Sequence, residues 1–504
     1  MAVHFRQNYV RNRYPDLPQF SGFMKPCRFE GEVQNVEVHG SIPPEINGTF
    51  YRVMPDPQFP PFIENDVWFN GDGCVSAFRI HDGQVDFKQR FVRTEKFERE
   101  REANRALVVY GRNVGKYRNK YTDIADLKTR TTANTNILHF NGKLLACKED
   151  GLPYAMDPDT LETLGLWDFE GQLESATFTA HPKFDPETGE MVCFGYEAKG
   201  DGTPDVNYYT FGRNGKIREN VWLVAPVVAM IHDFAVTKNY VGVHLSFLVQ
   251  WNLPFSKTHK LTQVIFPLIP QTCSLERMKA GGEHWQWDPT IPCYFGVLPR
   301  HGPKSGDVKI TMDLPMSEKN VFFWWPDKNG NAPAPTDLCS QLSRVVFDPR
   351  SDNMDLPEPL IIAKEDVEFP RIDDRFAMMR HKYCFMNVMD HSLETNFAAI
   401  GAVMGGGYPL FNALGQLDLG TGEMKKYFVG AQSMVQEPVF IPRSKAADEG
   451  DGYVMALVNR YETMSSDLVI LDARAWELVA EVKLPLRLRA GLHGNWVDAS
   501  DLAR

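Results

Sequence analysis

The chain has 504 residues, 43% of them hydrophobic and 12% aromatic, long enough for several domains or one large repeat fold and ample for a core. Its 54 basic residues face 65 acidic ones for a formal charge of −11, and neither sign forms a long block, which argues against a nucleic-acid partner. The 8 cysteines include no C-x-x-C pair, the N-terminus has no apolar core of signal-peptide length, and no apolar run reaches about 18 residues; together these predict reduced thiols in a cytoplasmic protein with no stable membrane insertion.

Helical periodicity is scarce along the chain, and short apolar strands broken by turn signals dominate. Residues 137–169 begin ILHF-NG-KLLAC, two apolar runs joined by Asn141-Gly142. The same form recurs over residues 181–198 with Thr188-Gly189, 208–224 with Asn214-Gly215, 234–248 with Lys238-Asn239, and 414–430 with Thr421-Gly422. Each is the sequence form of a β-hairpin. Hairpins repeating over most of the chain favour an all-β propeller, in which radial repetition protects the sheet edges.

Three histidines stand in contexts a propeller uses to aim ligands at one metal: His181 in TAHPKFDPETGEM, His232 in MIHDFAV and His493 in GLHGNWVD. Neutral imidazole suits iron, copper, nickel or zinc, and wide spacing suits a site to which each repeat lends one ligand. His181 and His232 are 51 residues apart, close to the roughly 40–50 residues of one blade, so both can end equivalent strands of neighbouring blades. Most of the 13 histidines have no such context and read as ordinary surface or core residues.

The segments TAHPKFDPETGE, IHDFAVT, EFPRID, EPVFIPR and GLHGNWVD, in that order, resemble the carotenoid cleavage oxygenase superfamily, and the likeness runs from about Gly48 to Trp496. The resemblance implies a seven-bladed propeller capped by loops and short helices, formed as a single domain over residues 1–504, with 1–47 as an N-terminal extension and first strands. It also implies Fe(II) on the axis held by four histidines without a ligating carboxylate, no organic cofactor, and cleavage of an alkene by O2 into two carbonyl products. On this chain His181, His232 and His493 match three of the four ligands. Glu149 in KEDGLPY, Glu368 in VEFPRID and Glu437 in QEPVF match the family's carboxylates that accept the outer N–H of ligand imidazoles, bonds that fix the ring tautomer and raise ligand basicity. Thr135 in ANTNILHF matches a threonine that crowds one coordination position.

The resemblance is strongest to the stilbene-cleaving branch. Lys148 precedes Glu149 where carotenoid cleavers carry an apolar or aromatic residue, and Tyr117 in GKYRNKYTD matches the tyrosine that this branch pairs with the lysine, with Tyr121 the less favoured choice. An ammonium and a phenol around one acceptor would lower the pKa of a bound phenol. A 4-hydroxystilbene held as phenolate could then push electrons into its central double bond. Phe69 in WFNGDG is a candidate for the cavity wall. The implied partners are a small aromatic substrate and O2.

One departure stands out. After Leu298-Pro299-Arg300-His301-Gly302 and Gly306-Asp307-Val308 the family continues into an apolar strand carrying its third histidine ligand, whereas this chain passes from Lys309 straight to Ile310 and ITMDLPM. On the order of 25–30 residues, about half a blade, are absent, so one blade is expected to be incomplete and Glu368 to lack its imidazole. His301, in a Pro/Gly turn, and His284, in the polar loop GGEHWQW, are poor substitutes. Two rival functions follow: a carotenoid or apocarotenoid cleaver, favoured by the apolar stretch 248–271, and a catalytically inactive propeller scaffold, favoured by the missing ligand.

Overall fold

The computed structural model describes residues 13–502, apart from 62–63, 65, 109–126, 128–130, 239, 244–270, 281, 289, 292–295, 301–308, 322–325, 335–336, 349–350, 352–355 and 405–409. The predicted hairpins form where the turn chemistry puts them. Asn141 and Gly142, with φ of 50° and 72°, join Asn136–Phe140 to Lys143–Cys147 in a turn with two left-handed residues, whose twist matches the strands it connects. Likewise Lys183–Phe184 pairs with Met191–Tyr196, Asp205–Phe211 with Ile217–Val224, and Ala413–Asp418 with Met424–Phe428.

These strands assemble into antiparallel sheets arranged as the blades of a propeller. The ends of the chain close the ring. Gly494–Asp498 pairs with Gly48–Pro55, so the last strand completes the first blade, and Glu37–Gly40 pairs with Glu477–Lys483 on the blade before it. Gly48–Pro55, flanked on both sides, is buried at every position. Each fully buried Val, Phe or Met there contributes about 1.5–3 kcal/mol relative to exposure. Short helices lie outside the sheets. Phe397–Met404 packs Ile400 and Val403 into a cluster with Phe23, Met24, Met434 and Tyr461, covering one end of the central cavity. No helix among the described residues is long and apolar enough to cross a membrane.

The expectation of seven blades is corrected. Among the described residues five sheets have four or more strands and one has two, but the two that flank the Lys309–Ile310 junction have three each: Ala235–Val236, Tyr240–Val243 and Gly296–Pro299 on one side, Ile310–Met316, Gln341–Phe347 and Leu360–Ile361 on the other. The propeller has six blades and not seven, with five sheets reaching the four strands of a complete blade and the two three-stranded sheets making up the remainder. The reason is local: only residues 300–309 separate Gly296–Pro299 from Ile310–Met316, well short of the roughly 20–25 residues of half a blade.

Candidate metal centre

The three histidines sit not at strand ends, as expected for His181 and His232, but just before the starts of innermost strands from three blades: His181 before Lys183–Phe184, His232 before Ala235–Val236, and His493 before the ring-closing Gly494–Asp498. The fold brings them together. Their ligating nitrogens all lie within 4.8 Å of one another, His181 Nε2 is 3.3 Å from His232 Nε2, and the His181 ring centroid is 4.6 Å from those of both His232 and His493. His181 is buried and the other two half-buried. Burial, with His493 and His232 adding to it, holds the His181 imidazole well below its ordinary pKa and therefore neutral, as a ligand must be. His232 is pulled down by burial but lifted more by the Glu149 carboxylate, ending at about 9.

The outer nitrogens are anchored. Glu149 accepts from His232 Nδ1 at 2.9 Å and from the Tyr196 hydroxyl at 3.2 Å. Glu437 accepts from His493 Nδ1 at 2.9 Å and from the Gly494 backbone N–H at 2.8 Å. Both rings are thereby oriented with Nε2 toward the shared centre. Three imidazoles without a carboxylate among them make a donor set suited to iron, copper or zinc. Thr135 is buried beside this centre and accepts the His493 N–H through its carbonyl at 3.1 Å.

A cavity of about 2500 Å³ opens over the histidines and is lined in part by Phe69, Thr135 and Lys148. The Lys148 ammonium donates to the Phe69 carbonyl at 2.8 Å and to Thr132 Oγ1 at 2.9 Å, and its side chain is only 12% exposed. Lys148 thus stands on the same cavity as the metal cluster, with Phe69 beside it on the short helix Trp68–Asn70. Tyr117 and Tyr121 lie outside the described residues.

Comparison with known proteins agrees with this geometry. The family model described as retinal pigment epithelial membrane protein, the carotenoid oxygenase family, matches residues 24–324 and 305–498. The chain belongs to this family. It is 56% identical to Resveratrol cleavage oxygenase 1 of Aspergillus fumigatus over 98% of both chains, and 51% identical to Carotenoid cleavage oxygenase 1 of Neurospora crassa over 97% of this chain and 92% of that one. Among solved structures, Pseudomonas brassicacearum lignostilbene dioxygenase superposes with a TM-score of 0.87 at 41% identity, covering 97% of this chain and all of that one.

Against the carotenoid oxygenase pattern, Glu368 is the odd carboxylate. It faces the cavity and accepts from the Phe369 N–H at 3.3 Å, but no imidazole bonds to it among the described residues. Burial raises its pKa. Its cross-strand partner Asn387 is buried with neither amide atom hydrogen-bonded. The two stretches of the family match overlap across the Lys309–Ile310 junction. His301 lies outside the described residues. His284, read from sequence as part of a polar loop, is instead buried against Glu197, with Nε2 3.1 Å from the carboxylate, apart from the three-histidine cluster. Sequence reasoning also missed Arg371, which touches Glu437 at 3.4 Å; the EFPRID segment that carries it was noted, but nothing in its spacing points the guanidinium at the ligands.

Proposed function

We propose that the chain is a non-haem Fe(II) dioxygenase that cleaves the central double bond of 4-hydroxystilbenes, resveratrol-like or lignostilbene-like, into two aromatic aldehydes. The observation that carries this reading is the convergence of His181, His232 and His493, two of them braced by Glu149 and Glu437, on a cavity that also holds Lys148. In this reading the three histidines hold iron, Glu149 and Glu437 set their tautomers, Thr135 narrows access on one side, and Phe69 lines the substrate's path. When bound, the iron supplies activation of O2 beside the alkene. Lys148, with Tyr117, stabilises the substrate phenolate, since an opposite charge and hydrogen bonds both favour the anion. Membership of the family and the likeness to enzymes named for resveratrol and lignostilbene support this substrate class. The pairing of N-terminal with C-terminal strands supports reading residues 1–504 as one domain. A cytoplasmic location is supported by seven free cysteines among the described residues.

The test is turnover by the Fe(II)-loaded protein under air. Resveratrol should give two aromatic aldehydes, while its 4-O-methyl ether, which cannot become a phenolate, should be left intact. Equal turnover of the ether would remove the activating role of Lys148 and Tyr117. An apocarotenal is the third arm, because the Neurospora crassa relative is named for carotenoid cleavage; exclusive cleavage of that compound would replace the stilbene reading.

A further inference from the structure

We propose that Arg371 is a positioning residue for the metal centre, tying two ligand histidines to a hydrogen-bonded belt that crosses successive blades at the axis. The inference rests on the reading of the three histidines as metal ligands. Arg371 ends the strand Asp366–Arg371, whose pairing with Tyr383–Met389 is interrupted by a bulge between Glu368 and Arg371, with Phe369 in a left-handed conformation at φ 54°. Bulges re-aim the side chains that follow them. Here the guanidinium, 17% exposed, is directed into the axis, and the Phe369 ring stands edge-on to the His493 imidazole with centroids 5.5 Å apart.

From there the belt runs both ways. Arg371 NH1 donates to Glu437 Oε1 at 3.4 Å and to the Gly494 carbonyl at 3.0 Å, bracing the carboxylate that orients His493 and the backbone next to that ligand. Arg371 NH2 donates to Asn495 Oδ1 at 3.0 Å. Asn495 Nδ2 passes the connection to Asn136 Oδ1 at 3.0 Å and to the Ile137 carbonyl at 2.7 Å. Asn136 Nδ2 then donates to the carbonyl of Ala180 at 2.8 Å, the residue immediately before His181. One planar fork thus holds the mounts of His493 and, through two asparagines, of His181. His232 stands outside the belt, anchored by Glu149. Because a guanidinium offers several donors in a fixed geometry, lysine can replace one of these bonds but not the set.

The experiment titrates metal-free full-length protein with Co(II) and reads affinity and the visible ligand-field spectrum. Wild type, Arg371→Gln, Arg371→Lys, Asn495→Ala and His232→Ala are compared, with thermal unfolding of each metal-free protein recorded alongside. Arg371→Gln should bind Co(II) about tenfold more weakly or worse, with a shifted spectrum, and Arg371→Lys should fall between it and wild type. A general loss of stability would lower the unfolding temperature without shifting the spectrum. Wild-type affinity and spectrum in Arg371→Gln, with His232→Ala losing the metal, overturn the proposal alone. An unchanged spectrum in His232→Ala would instead overturn the reading of the site. Should Arg371→Gln fail to fold, Asn495→Ala interrupts the same belt, and wild-type Co(II) binding in that variant overturns the proposal equally.

Discussion

His232 carries a proton that a metal ion must displace. Burial opposes that proton and the Glu149 carboxylate favours it more, so the folded protein holds it up to about pH 9. The sign follows directly: below that pH one proton leaves for each metal bound, so affinity should rise about tenfold per pH unit from near neutrality and level off above about 9. A Co(II) titration across pH 6.5–9.5 measures the slope, and a flat profile would show that His232 releases no proton on binding. His232→Ala should abolish iron binding, whereas Glu437→Gln, which keeps the shape but loses the charge facing His493, should weaken it about 10- to 100-fold. Metal analysis after purification under reducing conditions distinguishes the two. Lys148→Met tests the other end of the cavity. It should impair turnover of 4-hydroxystilbenes while leaving iron content at the wild-type level, since Lys148 bonds to Phe69 and Thr132 and not to a ligand histidine.

The strands that matter most are those where regular pairing stops. The bulge in Asp366–Arg371 holds Phe369 in a conformation that costs about 1–3 kcal/mol, and that strand supplies both Glu368 and Arg371 to the axis. Facing it, Asn387 on Tyr383–Met389 is buried with its amide nitrogen and oxygen unpaired. A buried amide without partners costs about 1–3 kcal/mol, so Asn387→Leu should raise the unfolding temperature of the chain as it stands, or leave it unchanged. A clear drop in differential scanning calorimetry would mean that Asn387 has partners after all. The sheet of Ile310–Met316 and Gln341–Phe347 ends outward in Leu360–Ile361, whose side chains are exposed and whose outer edge has no strand partner among the described residues. Such an edge is a site for association with other chains, and concentration-dependent aggregation is its expected signature.

At the scale of the molecule the two three-stranded sheets flank the Lys309–Ile310 junction, and the strand of Glu368, which pairs with that of the unpaired Asn387, packs against both Ile310–Met316 and Gln341–Phe347. Their proximity gives the short connection at this junction a structural consequence. A blade short of strands cannot bury its apolar face, and three imidazoles hold a metal less tightly than four. The chain as written is therefore expected to retain less iron, cleave resveratrol slowly and unfold early. Inserting a family-like strand segment between Lys309 and Ile310 should raise iron content, unfolding temperature and aldehyde yield together. Full activity and full iron occupancy without the insertion would show that three histidines suffice.

The sequence by itself determined the local structure and the family. Turns such as Asn141-Gly142 encode their hairpins because few residues accept two successive left-handed conformations, and strand alternation encodes the buried faces within a few neighbours. The contexts of His181, His232 and His493 marked the residues that meet at the axis, since each begins an innermost strand and the blade repeat sets their spacing. The family resemblance overcounted the blades, because it carries over the family's number and does not report whether each sheet of this chain is complete. Only the tertiary structure decided how Arg371 reaches Glu437 and Asn495, how Asn136 reaches the residue before His181, and how His284 comes to lie against Glu197. The physical reason is distance along the chain: these contacts join residues 44 to 124 positions apart, the bond from Asn495 to Asn136 that links them spans 359, and that bond exists only once the first and last strands have closed the ring.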